Sequence, residues 1–169
     1  SCYLYPFCVI IITQSKNMDK NRLLKYKVGM NLTGTGNLSK IFACQAFSNN
    51  NFPITPEQFS VLAVLYENNN LYQRQISALT LKDRPNISRI VCILEDMGCV
   101  TKTPDVSGRK VFKIAITQKG IDLYKQVLPE ILRVWLETVE GVEEGNLDIF
   151  YNVLSMIREN LISKVNIQI

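Results

Sequence analysis

Apolar residues recur at helical spacing along most of this chain and switch to strict alternation once. The clearest helix start is Ile54-Thr55-Pro56-Glu57-Gln58-Phe59. Thr55 reads as the N-cap, Pro56 as the first helical residue and Gln58 as the partner that closes a capping box, with Ile54 stapled to Phe59. Phe59, Leu62, Leu65 and Tyr66 form the predicted buried face, and Asn68-Asn69-Asn70 ends the helix. A short helix over about Gln73 to Thr80 buries Ile76 and Leu79. The next starts near Asp83-Arg84-Pro85. Its Ile87, Ile90, Val91, Leu94 and Met97 share one side of a helical wheel, and Ser88, Arg89, Cys92 and Asp96 share the other. Gly98 is the expected residue just past its end.

Beyond Gly98 the period becomes two. Cys99 to Thr103 reads as one strand and Val111 to Ile116 as a second, with Phe112, Ile114 and Ile116 on one face. Between them Asp105-Val106-Ser107-Gly108-Arg109-Lys110 is a polar tip ending in two cations. Thr117 caps a long helix in which Ile121, Tyr124, Leu128, Ile131 and Trp135 are spaced 3, 4, 3, 4, with Pro129 expected to kink it. Gly141 to Gly145 is a break, and Leu147, Phe150, Leu154, Ile157 and Leu161 repeat the spacing in a last helix. Both stripes read as packing seams. Too little chain remains to cover both, which favours a subunit interface over an intramolecular core.

Upstream, Leu23, Leu24, Tyr26, Val28 and Met30 precede an expected break at Gly34-Thr35-Gly36, and a further helix carries Leu38, Ile41, Phe42 and Gln45. Gly29 and Gly34 have the spacing of a phosphate loop, but Thr35 stands where that motif needs Lys, so a nucleotide site is rejected. Cys2 to Ile12 is apolar, too short to span a membrane, and has neither the basic lead nor the cleavage site of a signal peptide. Met18-Asp19-Lys20-Asn21 reads like a natural start, which makes residues 1–17 a leader outside the native chain. The competing reading is an extra segment that packs on a partner subunit.

Composition narrows the chemistry. Of 169 residues, 47% are hydrophobic and 20% charged, the balance of an ordinary globular chain. Histidine is absent, which removes His-based nucleophile systems, HExxH zinc sites and a His general base. The five cysteines form no CxxC pair, so no structural zinc and no other metal is expected, and their odd number fits a reduced cytoplasmic protein. The net charge is +4, but it is unevenly spread. Residues 71–120 carry nine Lys/Arg against four Asp/Glu, whereas residues 121–169 carry four against eight. A basic middle points to a polyanion and an acidic tail to another task.

The central order of helix, helix, helix and two-stranded ribbon defines a winged helix-turn-helix. The fold class expected is mainly α (α+β), a winged helix-turn-helix with N- and C-terminal dimerisation helices. The parts expected are the leader 1–17, an N-terminal dimerisation region 18–50, the DNA-binding domain 51–120 and C-terminal dimerisation helices 121–169. The second helix of the motif would lie in the major groove of double-stranded DNA, offering Arg84, Asn86, Ser88 and Arg89, and the ribbon tip would bring Arg109 and Lys110 to the flanking backbone or minor groove.

Four segments in order carry a resemblance: Ile54 to Phe59, Lys82-Asp83-Arg84-Pro85-Asn86-Ile87-Ser88-Arg89, Leu94-Glu95-Asp96-Met97-Gly98 and Ile116-Thr117-Gln118-Lys119-Gly120. Over roughly residues 25–163 the chain resembles the MarR family of bacterial transcription regulators. The resemblance implies a homodimer that binds pseudo-palindromic DNA and is released by an aromatic or lipophilic small molecule, or by an oxidant. Ser88-Arg89 matches the family's Thr/Ser-Arg pair. The wing departs from the family's Asp-x-Arg, because Gly108-Arg109-Lys110 lacks the bracing Asp and places Lys110 where the arginine belongs. Lysine lacks the planar fork, so Arg109 is the candidate for minor-groove work.

Candidate redox residues are Cys44 and Cys92. Cys44 lies three residues past the Leu38-Ile41 stripe, where a buried small hydrophobe is the commoner explanation. Cys92 lies on the outward side of the recognition helix, where oxidation would obstruct DNA and nearby Arg89 would lower the thiol pKa. Cys99 is expected in the core. Tyr26, Phe42, Phe47, Phe59 and Tyr66 are candidates to line an effector pocket, against the commoner reading of plain core. Three glycosylation sequons, at Asn31, Asn37 and Asn86, are read as chance matches. The sequence thus describes a cytoplasmic, homodimeric, ligand-responsive repressor with no catalytic residues, no cofactor and no membrane association. Its rivals are a thiol-based redox regulator and a winged-helix module that binds protein.

Overall fold

The computed structural model describes residues 19–104 and 112–165. Among these residues are six helices and one three-stranded sheet: α1 (Lys20–Asn49), α2 (Pro56–Glu67), β1 (Leu71–Tyr72), α3 (Gln73–Thr80), α4 (Arg84–Asp96), β2 (Val100–Pro104), β3 (Phe112–Ile116), α5 (Gln118–Thr138) and α6 (Glu144–Ile162). The chain divides into two compact units, residues 1–42 and 43–169.

The described part of the first unit is almost wholly α1, which continues to Asn49 in the second. The break expected at Gly34-Thr35-Gly36 does not occur. An interior glycine costs about 1 kcal/mol relative to alanine, and a helix of 30 residues carries that cost. The turn-forming side chains are also turned to the helix's use. Asn31 Nδ2 donates to the Lys27 carbonyl at 2.8 Å, and Thr33 Oγ1 donates to the Gly29 carbonyl at 3.2 Å.

In the second unit α2 begins as its sequence dictates. Gln58 N donates to Thr55 Oγ1 at 3.3 Å and Thr55 N donates to Gln58 Oε1 at 2.8 Å. Ile54, Phe59, Val61, Leu62 and Leu65 are buried around it. Tyr66, expected inside, is partly exposed, because it lays one ring face on Tyr124 and leaves the other to water. In α3 Ile76 is buried, but Leu79, in the last turn of this eight-residue helix, is exposed.

β3 lies between β1 and β2, antiparallel to both. β1 escaped the sequence reading because two residues are too few to show a period. In the β2–β3 ribbon Val100 pairs with Ile116 and Lys102 with Ile114. Ile114 and Ile116 point inward, while Phe112, expected on the same buried face, is exposed at the outer end of the strand, beyond the core. Ribbon, α2, α4 and α5 enclose one core of Leu62, Leu65, Ile87, Val91, Leu94, Ile114 and Val127.

α5 starts where Thr117 Oγ1 accepts from Gly120 N at 3.1 Å and donates to the Gly98 carbonyl at 2.7 Å. Its inward stripe is Leu123, Tyr124, Val127, Ile131 and Val134. The stripe read from the sequence was rotated from this one: Ile121 and Leu128 lie at its edge, and Trp135 is 56% exposed. Pro129 sits inside the helix without ending it. No residue of α6 is buried; Phe150 and Leu161 are exposed, as are Ile149, Tyr151 and Met156.

Candidate nucleic-acid interface

α3 and α4 are joined by Leu81-Lys82-Asp83. Leu81 turns the chain in a left-handed conformation, φ 54° and ψ 37°, unusual for a residue with a branched side chain. Lys82 N then donates to the Ser77 carbonyl at 3.1 Å. Asp83 caps α4: its carboxylate accepts from Asn86 N at 2.7 Å, and Pro85 in the first turn needs no partner for a missing N–H. Proline at the second helical position is therefore compatible with a helix that begins at Arg84.

Ile87, Ile90, Val91 and Leu94 anchor α4 in the core. That fixes its rotation, so Arg84, Ser88, Arg89 and Cys92 are exposed and Asn86 is half-buried. Asn86 Oδ1 accepts from Arg89 Nη2 at 3.4 Å. Four of the six expected DNA-contact residues, Arg84, Asn86, Ser88 and Arg89, thus lie on the first half of one helix. Arg109 and Lys110 lie outside the described residues.

Beside this face is a contact the sequence reading missed. Lys102 of β2 reaches α4, donating to Glu95 Oε2 at 2.5 Å and to Cys92 Sγ at 3.4 Å. The Glu95 carboxylate holds the Lys102 ammonium above its usual range, and Cys92 adds to the effect. The cation beside Cys92 is therefore Lys102, whereas Arg89 bonds to Asn86. The signal was present in the alternation, since Lys102 shares the inward side of β2 with buried Val100.

Cys44 is exposed, contrary to expectation. The Leu38-Ile41 stripe that suggested its burial is itself exposed, while Ala46 and Phe47 set the inward side of this end of α1. Cys99 is buried as expected, and burial pushes its thiol pKa up. Of the proposed effector-pocket aromatics, Tyr26 and Phe42 belong to the first unit, Tyr26 exposed and Phe42 half-buried. Phe47, Phe59 and Tyr66 belong to the second. There Phe47 meets Phe59 edge-on at 6.0 Å, and both Phe59 and Tyr66 stack on Tyr124, at 5.4 and 4.3 Å. Burial raises the Tyr124 pKa, with the Glu67 charge assisting. Among the described residues no cluster of three or more His, Cys, Asp or Glu side chains could hold a metal, and no helix is long and apolar enough to cross a membrane.

A helix-turn-helix with an outward polar and basic helix face, backed by a β-ribbon, is a winged helix-turn-helix. Residues 52–110 match the model of a family described as "MarR family". Over 108 residues the chain is 25% identical to YybA of Bacillus subtilis (strain 168), an uncharacterized HTH-type transcriptional regulator; the match covers 64% of this chain and 72% of YybA. Its fold matches that of a MarR transcriptional regulator from Methanosarcina mazei Go1 with a TM-score of 0.72 at 18% identity, over 83% of this chain and 99% of the other. CouR from Rhodococcus jostii RHA1, solved bound to p-coumaroyl-CoA, matches with a TM-score of 0.66 at 24% identity, over 77% and 90%. The chain carries a winged helix-turn-helix whose residues 52–110 are similar to the MarR family, and its fold is that of the solved MarR-type regulators.

Proposed function

We propose that this chain is a MarR-type transcription regulator, a cytoplasmic homodimeric repressor that places one α4 in each half of a pseudo-palindromic operator. The observation that carries the reading is the sorting of α4, whose Ile87, Ile90, Val91 and Leu94 are spent on the core while Arg84, Ser88 and Arg89 face outward. Arg84 and Asn86, in the first turn, are the base readers, since helix N-termini bring short side chains to base edges. Ser88 and Arg89 hold backbone or base edges behind them, and Arg109 and Lys110 supply charge from the ribbon tip. The dimerisation helices of this reading are residues 18–50 and 121–169, flanking a DNA-binding domain of residues 51–120. What supports the dimer is α6, which buries no residue within its own chain yet carries Ile149, Phe150, Tyr151, Val153 and Met156. The proposed relief signal is an aromatic or lipophilic small molecule, the class to which the p-coumaroyl-CoA bound by CouR belongs.

Titration of a mixed-sequence duplex at several salt concentrations tests DNA binding. A log K that falls steeply with log salt is expected from phosphate neutralisation. Binding that ignores salt would favour a protein-interaction module instead. Sedimentation of the full chain beside a chain lacking residues 144–169 tests the dimer. A truncated, folded monomer that still binds DNA with full affinity would refute it.

A further inference from the structure

Two cations away from the α4 face share one aromatic ring. The Arg74 guanidinium carbon lies 5.6 Å from the Tyr72 ring centroid, and Lys113 Nζ lies 5.3 Å from it. Tyr72 ends β1, Arg74 is in the first turn of α3, and Lys113 is the residue of β3 directly opposite Tyr72. Its neighbour Ile114 is buried, so Lys113 points to the other side of the sheet, away from the core. Among the described residues neither cation forms an ion pair with a carboxylate. Two like charges held near one ring repel each other, and the negative ring face offsets only part of that repulsion. Anions bound at the two cations would remove the rest.

We infer that Tyr72, Arg74 and Lys113 form a preorganised clamp for backbone phosphates of DNA, on the side of the sheet turned away from the core. The inference rests on the DNA-binding reading above. Arg74 offers a planar fork of donors and Lys113 a compact charge, each suited to phosphate oxygens. The ring limits the rotamers of both cations, so less side-chain freedom is lost on binding. A phosphate contact positions the protein and carries no sequence information.

The test is salt-dependent binding of the full-length protein to a mixed-sequence DNA duplex. Arg74→Gln and Lys113→Gln should each reduce the slope of log K against log salt by about one. Lys125→Gln, at an exposed lysine of α5, should leave the slope unchanged. Tyr72→Phe keeps the ring and should bind like the wild type. Tyr72→Leu keeps every charge but loses the ring, and should bind about threefold more weakly. If the wild type itself shows no salt-dependent binding, the DNA reading fails and the clamp with it. If the wild type binds steeply and the Arg74 and Lys113 variants keep its slope, the clamp alone is overturned. Loss of thermal stability with unchanged slopes would also overturn it, making the trio a brace between β1, α3 and β3.

Discussion

Gly120→Ala should destabilise the fold although alanine is the better helix former. A Cβ at Gly120 would lie 2.2 Å from the Cys99 carbonyl oxygen and 2.8 Å from Ile116 Cγ1. Relief needs a shift of roughly 1 Å to restore ordinary van der Waals separation. The Ile116 side chain can move, but the carbonyl is held, because Thr117 N donates to it at 3.0 Å and Thr117 Oγ1 secures the neighbouring Gly98 carbonyl. Overpacking of this kind costs about 1–3 kcal/mol, and a backbone obstacle puts this site at the upper end. Against that stands about 1 kcal/mol of helix propensity, leaving a net loss of roughly 2 kcal/mol. Gly36→Ala is the counterpart: it lies inside α1, where the added carbon meets no described atom within 4 Å beyond the helix's own nearby backbone, and should gain up to about 1 kcal/mol. Equilibrium urea unfolding at one fixed protein concentration measures both. A Gly120→Ala variant as stable as the wild type, or equal losses at both sites, would refute the claim that close approach is why glycine stands there.

Three further outcomes are expected. Leu81→Gly should raise the urea midpoint by about 1 kcal/mol of stability, because it removes the left-handed strain of an exposed leucine; an unchanged or lower midpoint would show that the side chain does more than sit in solvent. Arg133 holds the Glu130 carboxyl below its ordinary value of 4.5, so that pair stabilises the fold above this pH and its contribution fades as pH falls through the lowered folded value. Wild type and Arg133→Gln should therefore differ in stability near neutrality and converge in acid, and a gap that widens in acid would contradict the sign. Native-state iodoacetamide labelling followed by peptide mapping should modify Cys44 and Cys92 but spare Cys99 until unfolding, and early labelling of Cys99 would contradict its burial.

What could be read in the sequence depended on how local its cause was. The α2 start was legible because the capping box lies within four residues, and α4 because its apolar set spans three turns. The α1 break was misread because glycine lowers helix propensity without forbidding a helix. The rotation of α5 was misread because a 3-4 pattern also fits Trp135, and only the position of the core decides which stripe turns inward. Of the candidate site, the outward set on α4 followed from periodicity alone. Lys102 and the Tyr72–Arg74–Lys113 group did not, because both depend on strand pairings that join residues far apart in the chain.

Lys102 has a mechanical consequence. It fastens the ribbon to α4, the helix proposed to enter the groove, through a pair that is only partly open to water. If both meet DNA as proposed, helix and ribbon would act as the fixed jaws of a caliper, whose opening is set by the protein and not by the DNA. In such a tool a signal that tilts one jaw carries the other with it. A half-site would be gripped or released as a unit, and an operator with altered spacing between the two contacts would be rejected even where every base is correct.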